Sequence, residues 1–148
     1  MEVLDLFHHY RDDVYRLAMS YIGNPQEAED ICQTVFMKLL EQGALSPGKE
    51  KAWLMQVTAN QCRSLLRSAW WRHTVALEET IPAPASGTDD TLQAVMKLPH
   101  KYRVVIYLRY YEKYTAVEIG KLLKIPASTV TTRLARGRQQ LKSLLKED

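Results

Sequence analysis

Apolar residues recur three and four apart along nearly the whole chain. The rhythm fails only over residues 73–90, which hold Pro82, Pro84, Ser86 and Gly87 among the acids Glu78, Glu79, Asp89 and Asp90. This pattern restricts the fold more than any single motif does. A period near 3.6 buries one face of a helix, and a polar, Pro-containing interruption ends one packed body before the next begins. No segment alternates with period two, so the expected class is all-α, with two small helical domains, 1–72 and 91–148, joined by a flexible linker, 73–90. Fully extended, those eighteen residues would reach ~55–60 Å at ~3.3 Å each. A length of 148 residues suits two small domains or one ordinary one.

The helix ends are marked as clearly as the helices. Leu4, Phe7, Tyr10, Val14, Leu17 and Tyr21 form a first stripe that stops at Gly23. Asn24-Pro25-Gln26-Glu27 then supplies a cap, a proline at the first position and an acid at the third. The second helix runs to about Gln42 with Ala28, Ile31, Val35 and Leu39 inward, while Phe36 lies off that stripe beside Gln33. A third helix is expected from Lys49 to Arg72, then short helices over 91–97 and 99–111. The spans 115–123 and 128–146, separated by Lys124-Ile125-Pro126-Ala127, predict a helix-turn-helix with Ile119, Leu122, Ile125, Val130 and Leu134 as its core. Its turn favours a residue at ease with positive φ, and Lys124 stands there at a cost of ~1 kcal/mol.

Several function classes are excluded early. No apolar run approaches the ~18–20 residues that cross a bilayer. Met1-Glu2-Val3-Leu4-Asp5 has acids where a signal peptide carries Lys or Arg, so a cytoplasmic location is expected. Cys32 and Cys62 stand alone, without CxxC or a His at ligand spacing, and are expected as buried free thiols. His8, His9, His73 and His100 are scattered, no glycine-rich phosphate loop occurs, and no catalytic site, metal or cofactor is expected.

Charge is segregated along the chain. Residues 1–50 carry four Lys/Arg against nine Asp/Glu, and residues 51–75 carry four and none. Residues 76–100 carry one against four, and residues 101–148 eleven against four. Two basic blocks between acidic ones point to two separate nucleic-acid contacts, with the acidic first third facing something else.

Three faces carry chemistry. Trp53, Gln56, Asn60, Arg63, Arg67 and Trp70 fall on one side of the third helix, with Trp71 and Arg72 adjoining, while Leu54, Thr58, Cys62, Leu65 and Ala69 fall on the other. Indoles beside amides and guanidinium groups suit unpaired nucleotides, since every base has a face to stack and every linkage a phosphate. The bland alternative is an ordinary amphipathic helix with core tryptophans. In the helix-turn-helix, Ser128, Thr129, Thr132, Arg133, Arg136 and Arg138 supply hydroxyls and guanidinium groups for phosphates and base edges; a helical hairpin that binds no DNA is the alternative. The second helix presents Glu27, Glu29, Asp30 and Gln33 flanked by Phe36 and Leu40. An exposed aromatic among acids is expected to anchor a protein partner, against the alternative of a merely solvated acidic face.

Those same residues carry a family likeness. Glu27-Ala28-Glu29-Asp30-Ile31-Cys32-Gln33-Thr34-Val35-Phe36 resembles the AED-hydrophobic-x-Q-x-V-F segment of the extracytoplasmic-function sigma factors of bacterial RNA polymerase. Ala52-Trp53-Leu54 with Ala59-Asn60 is similar to that family's AWL…A-(R)-N stretch. Leu98-Pro99-x-Lys101-Tyr102-Arg103, Leu108-Arg109-Tyr110-Tyr111, Glu118-Ile119 and Ser128-Thr129-Val130…Arg133-Leu134…Arg136 resemble its second domain. The chain departs from the family at Thr58, Gln61 and Cys62, and at Lys124 in place of a turn glycine.

The resemblance implies a bacterial initiation factor that binds core RNA polymerase and directs it to promoters. It implies that Glu27, Asp30, Gln33, Phe36 and Leu40 meet the polymerase. Trp53, Gln56, Asn60, Arg63, Arg67, Trp70 and Trp71 would recognise and melt the minus-ten DNA, with Asn60 near a flipped-out base. Ser128, Thr129, Thr132, Arg133, Arg136 and Arg138 would read the minus-thirty-five duplex. The 73–90 linker would thread toward the RNA exit path. An anti-sigma factor, often membrane-anchored in this family, is the further partner implied. The rival readings are a helix-turn-helix regulator that binds duplex DNA without polymerase and a helical adaptor that binds protein alone.

Overall fold

The computed structural model describes residues 2–68 and 90–146, which form seven α-helices and no strand. The chain divides into two compact units, the first holding the three helices before the linker and the second the four after it. The expected linker, 73–90, lies outside the described residues apart from Asp90 at its end. None of the described helices is long and apolar enough to cross a membrane.

The first unit is built from α1 (Val3–Ile22), α2 (Pro25–Gln42) and α3 (Glu50–Arg67). Gly23 ends α1 in the left-handed conformation at φ 79°, and its N–H donates to Met19 O. Asn24 caps α2 as expected: its side-chain oxygen accepts from the Glu27 N–H at 3.0 Å. Val14, Leu17 and Ala18 of α1, Ile31, Val35 and Leu39 of α2, and Leu54, Met55 and Ala59 of α3 close the core. Thr58 is buried with them, and its hydroxyl is satisfied by donating to Leu54 O at 2.7 Å.

Three side chains differ from the expected pattern. Leu4 is 66% exposed, and Leu6 takes the inward place at that end of α1. Cys32 is half-buried while Cys62 is fully enclosed. The correction that matters for function is Phe36, which is 5% exposed. Its ring meets that of Phe7 edge-on, with centroids 4.6 Å apart and planes at 65°. A helix packed against two neighbours buries a wider arc than one stripe, and α2 packs against both α1 and α3. Phe36 is therefore core, and the exposed apolar groups of α2 are Met37 and Leu40, at 61% and 64%.

The second unit comprises α4 (Asp90–Met96), α5 (His100–Tyr110), α6 (Ala116–Leu123) and α7 (Ala127–Lys146). Seven consecutive residues of α5, Tyr102 to Leu108, are buried, so this helix is the unit's centre. Arg103 is among them at 2% exposed. Its guanidinium donates to Leu98 O at 3.1 Å and Met96 O at 3.4 Å, at the carboxyl end of α4. Burial lowers its pKa to about 10, which still leaves it charged at neutral pH. Gly137 lets α7 lie against α5, because a Cβ there would sit 3.2 Å from both Tyr102 Cβ and Ile106 Cγ1.

The helix-turn-helix is formed by α6 and α7. Thr115 and Glu118 make a reciprocal capping box at the start of α6. Lys124 ends it in the left-handed region at φ 60°, as the turn requires. Ile119, Leu122, Val130 and Leu134 are buried as expected, while Ile125 is only half-buried. Gly120 is the glycine the turn depends on. A Cβ there would lie 2.7 Å from Ile125 O, so the chain can fold back over α6 only where that carbon is missing.

Candidate nucleic-acid interface

Helix α3 presents one face to the core and the opposite face to the surface. Leu54, Thr58 and Cys62 are fully buried, which turns Trp53, Gln56, Asn60, Arg63 and Arg67 to the opposite side; the first four are half-buried and Arg67 is exposed. Burial pushes the Cys62 thiol far above its ordinary range and lifts Cys32 to about 11, so both stay protonated and unreactive. The middle of the face is a hydrogen-bonded set: Gln56 Nε2 donates to Asn60 Oδ1 at 3.0 Å, and Arg63 Nη2 donates to the same oxygen at 2.8 Å. Arg63 Nη1 is buried and meets no acceptor among the described residues. Trp53 borders a hollow of about 370 Å³ lined also by Gln42, Leu45, Ser46 and Lys49, from the α2–α3 connection. The structure thus brings five of the seven expected minus-ten residues onto one helix face; Trp70 and Trp71 lie outside the described residues.

In the second unit Ser128, Thr129, Thr132, Arg133 and Arg136 share a concavity of about 340 Å³. Lys101 and Tyr102 of α5 complete its wall. Sequence reasoning passed over Lys101, because only the packing of α7 on α5 carries it beside the first turns of α7. Thr132 donates its hydroxyl proton to Ser128 O at 3.1 Å, which leaves its oxygen lone pairs outward. Arg138 does not belong to this group. It lines a separate apolar groove with Val95, Ile106, Tyr111, Leu141 and Leu145, and its Nη1 donates to Tyr110 Oη at 3.1 Å. Two positions beyond Arg136, Arg138 stands on another side of the helix from the residues it was expected to join.

On α2, Asp30, Gln33, Met37 and Leu40 are exposed in one row and Glu27 is half-buried at its head. No group of three His, Cys, Asp or Glu side chains among the described residues is arranged to hold a metal ion.

Two helical units, one with an amide–guanidinium face and the other with a basic helix-turn-helix, define an all-α protein of the modular DNA-reading kind. The comparisons specify which. Residues 6–72 match the family Sigma-70 region 2, and residues 88–141 match Sigma-70, region 4. The ECF RNA polymerase sigma factor SigW of Bacillus subtilis is 30% identical over 97% of this chain and 88% of its own length. SigV of the same organism, an RNA polymerase sigma factor, is 30% identical over 94% and 89%. The ECF RNA polymerase sigma factor SigE of Mycolicibacterium smegmatis is 30% identical over 95% of this chain, which spans 60% of that longer protein. Among solved structures, the sigma factor RpoE of Bartonella quintana, crystallised with the anti-sigma factor NepR, shares the fold, with a TM-score of 0.71 and 24% identity over 96% of this chain and 95% of that one. The chain belongs to the ECF family of RNA polymerase sigma factors. It is an alternative sigma factor, and the stand-alone regulator is not favoured.

Proposed function

We propose that each exposed face serves one step of initiation. Glu27, Asp30, Gln33, Met37 and Leu40 load the chain onto core polymerase, with Phe36 fixing the helix beneath them. Trp53, Gln56, Asn60, Arg63 and Arg67 hold the melted minus-ten strand, joined by Trp70 and Trp71. Ser128, Thr129, Thr132, Arg133 and Arg136, with Lys101, grip the minus-thirty-five duplex. The domains are 1–72 and 91–148, with 73–90 as the tether. The chain itself makes and breaks no bond. Taking bases out of a stack costs a few kcal/mol each, and a stacking platform offsets this by ~1–3 kcal/mol per base. Polymerase positions both modules, so the second contact is intramolecular and gains affinity with no new interaction. The protein works in the bacterial cytoplasm, and an anti-sigma factor that covers these faces is its expected inhibitor.

The observation that supports this reading most is the α3 face: five side chains suited to unpaired DNA, backed by fully buried residues and with no acid between positions 51 and 75. The experiment is co-elution of the purified chain with core bacterial RNA polymerase, followed by transcription from a promoter library. Tight association with selective initiation is expected; binding to duplex DNA with no affinity for polymerase would overturn it. Within that assay, Asn60→Ala is expected to lower open-complex formation at least tenfold, on the order of a lost base contact, while co-elution is unchanged. Equal loss of both would remove Asn60 from the DNA face.

A further inference from the structure

The amide of Asn60 is held one way round. Its Oδ1 lies 2.8 Å from Arg63 Nη2 and 3.0 Å from Gln56 Nε2. A guanidinium has donors only, so the atom facing it is necessarily the oxygen. Two donors occupy both lone pairs of that oxygen. The Asn60 Nδ2 group points the other way, and no acceptor meets it among the described residues.

An asparagine that selects adenine uses both ends of its amide, accepting from the base's amino group and donating to a ring nitrogen. That pattern is closed to Asn60 while Gln56 and Arg63 occupy its oxygen. The two amide hydrogens instead suit an edge with neighbouring acceptors, such as O6 and N7 of guanine or O2 and N3 of cytosine. Adenine offers a ring nitrogen beside an amino group, which would face Nδ2, donor against donor, and lose its own partner.

We propose that Gln56 and Arg63 are positioning residues that make Asn60 an obligate hydrogen-bond donor, and that this sets the factor against adenine at one position of the melted strand. The inference rests on the placement of α3 against unpaired DNA. Gln56 and Arg63 act here through the amide they orient, whatever further contact they make with the strand.

The test uses holoenzyme assembled from the full chain and core bacterial RNA polymerase. It is mixed with single-stranded DNA containing a randomised segment, and the retained molecules are sequenced. The wild type is expected to show one position where adenine is depleted roughly tenfold, the discrimination a good polar base contact gives. Gln56→Leu and Arg63→Met each free one lone pair of Oδ1 and are expected to restore adenine at that position. Arg63→Lys keeps a donor and should keep the depletion. Because only relative base frequencies are compared, a general loss of affinity or stability does not imitate this result. Unaltered adenine depletion in both Gln56→Leu and Arg63→Met overturns the proposal, as does a wild type that tolerates adenine throughout. Asn60→Ala separates the two levels. If it erases the preference while the positioning variants do not, the orientation argument alone fails; if it changes nothing, the placement of α3 on the strand fails with it.

Discussion

Phe36→Ala is expected to destabilise the first unit by about 3–5 kcal/mol, the usual cost of emptying an aromatic site in a packed core. Phe36 is 5% exposed and its ring lies edge-on to Phe7, so the substitution removes both the buried area and a ring contact between α1 and α2. Small domains hold together by about 5–15 kcal/mol in all, and a loss of that size brings the unit's melting point down by well over ten degrees. Co-elution with polymerase is then expected to fall, because α2 is no longer held in place. Leu40→Ala should behave in the opposite way. That side chain is 64% exposed, its truncation should leave thermal melting within about 0.5 kcal/mol of wild type, and co-elution with polymerase should weaken. Melting curves followed by circular dichroism, with co-elution run in parallel, separate the two. A Phe36→Ala protein as stable as the parent would return that ring to the surface.

Gly120→Ala is the second large effect, and its sign depends on which of two terms wins. Alanine gains up to ~1 kcal/mol over glycine inside a helix. Against this, the added carbon would stand 2.7 Å from Ile125 O, an atom of the backbone that cannot swing aside. Overpacking costs about 1–3 kcal/mol even where side chains can yield, so the clash wins and the turn between α6 and α7 opens. Hydrogen exchange across residues 116–134 should rise, and minus-thirty-five-dependent transcription should fall more than transcription from a pre-melted template. Lys124→Gly, four residues on, should act the other way, because φ 60° strains a lysine and not a glycine. A destabilising Lys124→Gly beside a neutral Gly120→Ala would show that the turn has been placed on the wrong residue.

How legible all this was from sequence varies with the kind of signal. Caps and breakers act locally, so Gly23 and Asn24-Pro25 marked helix ends that the structure keeps. The α3 face was equally plain, since its buried and exposed sides differ in chemistry as well as in spacing. Phe36 was misplaced because one helical wheel cannot show that a helix touches two neighbours. Leu4 and Leu6 compete for the same inward place, and only the packing of α1 decides between them. Gly120 lies inside a helical pattern, where nothing local marks the carbonyl that will cross above it. Arg103 sat in a basic block and gave no sign of burial, and Lys101 lies far in sequence from the helix it joins.

The enclosure of α5 has a consequence for how this factor can be controlled. With Tyr102 to Leu108 all hidden, neither α7 nor α4 can lift away without exposing the helix at the centre. Opening of the second unit is therefore close to a single event, with slow exchange of the α5 amides reporting its full free energy. The expected way to silence such a unit is occlusion, by something laid over its folded surface, and relief then requires only that the cover leave.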